Sequence, residues 1–259
     1  MSNESLKSLL GHGVKIVGAG VGAVVQGLIS PSDSMAGAVI GATLGQGCAN
    51  VLDDVAERLM SMKEKERVGG VAAIAISEIK ERLLWKEPRS DGFFDKSENG
   101  PSPAEEVFEG VLLAAKQEHE QQKLPYLANF YSGLVFYPSV SKAQANFLLS
   151  LAESMTYRQF VILSLVEQIN SFKTRDRPWQ VREPMHPNSH SISMEALVLY
   201  QQQLIVSYNV NAGRGDNVYE PGLVIPARSM ISGPGVTLCY LMGLHKIPKQ
   251  ELEVLASEW

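Results

Sequence analysis

The chain is poor in the residues that most often announce chemistry. Among 259 residues it has only Cys48 and Cys239, far apart and both in apolar contexts, where a free thiol behaves as a small hydrophobe. A disulfide framework is excluded, which suits a reducing cytoplasm. Aromatic residues make up 7% of the chain, and its formal charge is -5 with a pI near 5.6. No excess of Lys and Arg attracts phosphate backbones or anionic lipid, so nucleic acid is not expected as a partner. The segment Met1 to Leu10 has no charged n-region and no cleavage site, so no secretory signal is expected.

Catalytic signatures are missing too. No glycine-rich run ends in the Lys-Ser/Thr of a phosphate loop, and Gly18-Ala-Gly20 lies inside an apolar helix candidate. There is no G-x-S-x-G elbow, no H-E-x-x-H and no Cys–His pairing. His186 and His190 have a spacing that serves zinc on a helix, but Pro187, Asn188 and Ser189 place them in a loop. Glu105, Glu106 and Glu109 fall where a helix begins and favour its dipole, which makes a catalytic pair the weaker reading. Lys173, Arg175, Arg177, Trp179 and Arg182 form a short basic run that Asp176 and Glu183 dilute. Arg214-Gly215-Asp216 reads as a turn. No catalytic, cofactor or metal residue is therefore assigned, and the chain reads as a non-enzymatic protein.

What is abundant is small residues at helical spacing. From Gly11 to Leu52 two Gly/Ala-rich apolar runs flank the breaker Ser30-Pro31-Ser32-Asp33-Ser34, the pattern of a helical hairpin. In the second arm Gly37, Gly41, Gly45 and Ala49 recur every four residues, and Gly18 and Gly22 repeat that spacing in the first. Each helical Gly costs roughly 1 kcal/mol relative to Ala. A row of them implies close helix approach, the small-xxx-small device of helix packing. The six residues are the candidate helix-packing and oligomerisation site of a glycine zipper. The uncharged stretch Met35 to Leu52 is at the lower edge of what spans a bilayer, so the expected localisation is cytoplasmic, with conditional insertion in the inner membrane as the further possibility.

An apolar fraction of 45% and a charged fraction of 20% belong to a folded protein. Asp53–Arg67 reads as amphipathic, with Val55, Leu59 and Met62 on one side, and Val68–Trp85 as a further helix. Lys86–Ser102, with Pro88, Gly92, Gly100 and Pro101, reads as a linker between domains 1–86 and 103–259. Capping boxes at Ser102, Ser141 and Thr156 predict helices Ala104–Gln122, Pro125–Phe136, Lys142–Glu153 and Tyr157–Asn170, with Leu112, Leu113, Phe130, Phe147, Leu151, Phe160 and Leu163 in a core. Then come a helix Met194–Gln203, strands Leu204–Tyr208 and Leu223–Ile225, a helix Val236–Gly243 and a last one from Pro248. The fold class is mainly α: a glycine-zipper hairpin, a helical bundle, and a C-terminal winged-helix-like segment with a small β-wing. Its supposed recognition helix, MEALVLYQQQ, has no Lys or Arg, which favours a packing or protein-contact role.

The runs SPAEEVFEGVLLAAKQEHEQQKLPYLANFYSGLVF and ANFLLSLAESMTYRQFVILSLV, followed by LVLYQQQLIVSY and SGPGVTLCYLMGL, resemble a group of bacterial helical proteins with an abortive-infection alpha-like layout. The resemblance covers about residues 60 to 250 and implies a bacterial origin and a role in phage defence or stress. Homo-oligomerisation, inner-membrane contact and a protein partner are the expected associations. The competing readings are a soluble regulatory or scaffold protein using the winged segment for protein or DNA contact, and an enzyme with an unrecognised site.

Overall fold

A computed structural model of the chain describes residues 35–58, 61–96, 100–180, 183–208 and 224–259, with side chains from residue 45 onward. Gly18, Gly22, the first arm of the expected hairpin, Arg182 and Arg214-Gly215-Asp216 lie outside the described residues. The described part is mainly helical with one small antiparallel sheet. Compact units divide between Ser154 and Met155, not within Lys86–Ser102.

In the first unit, α1 (Met35–Glu57) and α2 (Met62–Leu83) are separate helices, so Asp53–Arg67 is not one amphipathic segment. The break follows from Ser61, whose hydroxyl accepts from the Glu64 amide while the Glu64 carboxylate takes the Ser61 N–H at 2.6 Å. Met62, expected on the apolar side, is exposed. Helix α3 (Pro103–Gln117) starts on the Ser102 box and stops short of Gln122, because Glu118 turns extended and a 3-10 turn (Gln121–Lys123) leads into α4 (Leu124–Leu134). Helix α5 (Lys142–Ser154) starts on the Ser141–Gln144 box. Helices α2 and α3 pack on α4, which is buried on nearly every side, so its sequence is apolar all round instead of striped. Phe147 points outward on α5, and Leu113 and Leu151 are half-buried.

Within Lys86–Ser102, Arg89, Phe93 and Ser102 are buried and tie an otherwise largely exposed segment to this unit; residues 97–99 lie outside the described residues. Its breakers do end helices, with Gly92 at φ +79° where a Cβ would be strained. Yet the Arg89 guanidinium is buried against the Phe93 ring at 4.1 Å, grips Asp91 at 2.7 and 2.5 Å, and donates to the carbonyls of Leu134, Pro138 and Val140. Those acceptors include the carbonyl at the end of α4, where a cation is favoured. The Asp91 carboxyl is held low by that guanidinium.

The second unit is built around α6 (Tyr157–Glu167), which starts on the Thr156–Gln159 box and is buried from Gln159 to Val166. Helix α7 (Pro187–Gln201) begins seven residues before the expected Met194. His186 caps it, its Nδ1 accepting from the Asn188 amide at 3.3 Å, and Pro187 suits the first helical position. Strand β1 (Ile205–Ser207) pairs antiparallel with β2 (Ser229–Ile231), Val206 opposite Met230. Val224 and Ile225 of the expected returning strand are not part of the sheet, since Pro226 initiates a 3-10 turn (Pro226–Arg228) that delays pairing; Leu223 lies outside the described residues. Helices α8 (Gly233–Met242) and α9 (Lys249–Glu258) complete the unit, α8 ending on Gly243 at φ 65°. Helices α7, α8 and α9 and strand β2 all contact α6.

Candidate functional site

Helix α1 runs without interruption from Met35, so Gly37, Gly41, Gly45 and Ala49 follow one line along its face. Gly45, Cys48, Ala49, Leu52 and Val55 are buried, the i, i+3, i+4, i+7 set that a helix turns toward a core. Their partner is chiefly α3. The C-terminal end of the small-residue row thus lies inside the unit's own packing.

A cavity of about 370 Å³ opens beside this seam. Its walls are contributed by α1 (Gly47, Cys48), by Phe94 and Lys96, and by the start of α3 with Tyr131 of α4. The capping box puts Glu105 there. Its Oε2 accepts the Ser102 amide at 2.7 Å, which fixes the carboxylate against the helix start. A Cβ on Gly47 would lie 3.2 Å from the other carboxylate oxygen, Oε1, and from Cγ. The Ala104 amide donates to the Phe93 carbonyl at 2.9 Å, which positions neighbouring Phe94 at the wall.

Deeper in, the Cys48 thiol and Tyr131 hydroxyl are hydrogen-bonded at 3.6 Å, and the Tyr131 ring leans on Phe108 at 4.6 Å. Burial pushes the Cys48 thiol up to about 12, against the lowering effect of its bond to Tyr131. Burial likewise raises the Tyr131 hydroxyl. Both stay protonated at neutral pH. A thiol held in this form is a poor nucleophile.

The three neighbouring carboxylates of α3 have separate tasks. Glu105 caps the helix, Glu106 pairs with Lys142 at 2.8 Å and accepts from Asn146, and Glu109 pairs with Arg58. They do not converge into an acid–base pair. Elsewhere Glu118, His119 and Glu120 bring ligand atoms within 4.8 Å of one another, but Glu118 already pairs with buried Lys123 at 2.5 Å. In the basic run, Arg175 stacks on Trp179 at 3.7 Å, and Glu183 binds both Arg175 at 2.6 Å and Arg177 at 2.9 Å.

The Ser102-x-x-Glu105 motif was the one signal in the sequence for this site, and it spoke only of a helix start. Nothing local joins Glu105 to Cys48, Phe94 and Tyr131. Among the described residues, no helix is long and apolar enough to cross a membrane. Compared with protein-family models, curated proteins and solved structures, the chain matches none of them.

Proposed function

We propose that the chain is a non-enzymatic bacterial defence or stress protein that works through contacts. In this reading its helical units recognise a protein partner, and the small-residue row of α1 drives homo-oligomerisation or conditional association with the inner membrane. The observation that carries it is the single helix bearing Gly37, Gly41, Gly45 and Ala49 in register. Three helical glycines forgo roughly 3 kcal/mol of propensity at about 1 kcal/mol each, a loss that close helix approach can offset. The defence role rests on the resemblance to the abortive-infection alpha layout.

Gly41→Leu tests it. This variant should be less assembled by sedimentation velocity than the parent, while Gly100→Leu should match the parent. Native protein fractionated with and without phage challenge should shift toward larger species or the membrane on challenge. A monomer under both conditions, or Gly41→Leu with unchanged assembly and unchanged protection, sinks the reading.

A regulatory or scaffold role through the winged-helix-like segment is the second reading. Its support is α7, which exposes Met194 and Val198 one turn apart and contains neither Lys nor Arg. Such a face suits a protein partner; salt-dependent DNA binding would argue for nucleic acid instead.

A further inference from the structure

We propose that the cavity beside α1 and α3 binds a small organic cation, an amine or amidine carried on a flat apolar body. This does not depend on the assembly role of α1.

The argument begins with Glu105. Its residue surface is 9% exposed, and among the described residues it forms no ion pair. One oxygen is engaged by the Ser102 amide, whereas Oε1 takes no hydrogen bond among the described residues and borders the cavity beside Gly47. That oxygen faces the cavity, where a positively charged hydrogen-bond donor can reach it and form a charge-assisted bond. The nearby thiol and phenol do not supply that charge, since they are bonded to each other.

The walls then define the body of the ligand. Phe94, Ala104 and the Tyr131 ring are apolar surfaces, and at 370 Å³ the space falls in the range of small-molecule sites, roughly 300–1,000 Å³. Gly47 keeps open the place nearest Glu105 Oε1, because any side chain there would compete with the ligand's donor. Exposed Lys96 also lines the cavity. Its charge opposes a second cationic group, so the ligand carries its charge at one end.

Three isosteric probes separate charge from shape: benzamidine, neutral benzamide and anionic benzoate, titrated into the full chain by calorimetry. Benzamidine should bind saturably, benzamide at least tenfold more weakly, and benzoate not at all. Glu105→Gln keeps an acceptor for the Ser102 amide but should abolish the preference for the amidine. Gly47→Ala should weaken benzamidine several-fold, whereas Lys96→Met should strengthen it. If Glu105→Gln does not fold, Gly47→Ala and Lys96→Met still decide the matter. Absence of saturable benzamidine binding, equal binding of benzamide, or variants that bind like the parent would overturn the assignment.

Discussion

Gly235 lies against the backbone of Leu204 so closely that a Cβ on residue 235 would stand 2.1 Å from the Leu204 carbonyl oxygen. That oxygen also accepts the Ser232 amide at 3.0 Å, which fixes the start of α8 onto the turn between α7 and β1. Because the obstruction is backbone and not a movable side chain, it cannot be relieved by a rotamer change. Gly235→Ala should destabilise the chain by about 2–4 kcal/mol, as overpacking with a backbone shift does. Gly233→Ala, where the added carbon meets nothing within 4 Å, should be close to neutral. Urea unfolding of the two variants decides it, and equal midpoints would contradict the close contact.

Arg89 makes a second prediction about the chain between α2 and α3. Its bonds to three backbone carbonyls and its seat on Phe93 hold a segment whose composition alone reads as a loose joint. Arg89→Ala should cost about 2–3 kcal/mol, in the range of charge-assisted hydrogen bonds. Limited proteolysis should leave bonds 86–96 of the parent intact while cutting them early in the variant. Early cleavage there in the parent would show that the anchor does not hold.

The buried pair Lys123–Glu118 gives a third. Lys123 also donates to the Glu153 carbonyl at 3.2 Å, and Arg67 donates to the Glu118 carbonyl, so α2, α3, α4 and α5 are joined around one ion pair. Lys123→Met leaves Glu118 buried without its counter-charge and should cost about 3–5 kcal/mol, much of which Glu118→Gln in the same chain should restore. A double variant no more stable than the single one would refute the charge argument.

The pH dependence follows from the same cluster. Burial alone would raise the Glu118 carboxyl, but the bonds from Lys123 and the Glu120 amide outweigh it and hold the group low. The stability it contributes is therefore complete above the usual glutamate value, about 4.3, and is lost as pH falls through the lowered one. Asp91 and Glu106, held low by Arg89 and Lys142, act in the same direction. Glu153 is raised by burial, with Glu118 adding repulsion, so its contribution fades as pH rises through its raised value. Thermal melts should show loss of stability below about pH 4. Glu118→Gln should flatten that loss, whereas Glu153→Gln should improve stability at neutral pH relative to acid.

The thiols supply a last test. Cys48 and Cys239 are buried and both are shifted up by that burial. A disulfide reagent at pH 8 should label neither in the native chain and both in denaturant. Rapid native labelling of Cys48 would mean that its burial is not maintained.

Legibility in the sequence followed the range of the interaction. Ser102, Ser141 and Thr156 announced their helices because a capping box is complete within four residues. Ser61 carried the same motif, yet the charged run around it read as continuous helix. His186 as a cap and the pairing of Ser229–Ile231 were missed because His is an uncommon cap and register depends on the turn at Pro226. Arg89 and Glu105 were the hardest to read. Both are polar residues whose burial depends on chain more than 25 residues away, namely Leu134 for Arg89 and Gly47 for Glu105.

The two all-round buried helices, α4 and α6, have a consequence for solvent exchange. Each lies in the middle of its own unit, so its central amides, around Phe130 and around Leu163, can meet water only when the surrounding helices open together. Fraying of a single outer helix will not expose them. Deuterium uptake should therefore leave two slow islands separated by the Ser154–Met155 division, each reporting the opening free energy of one unit.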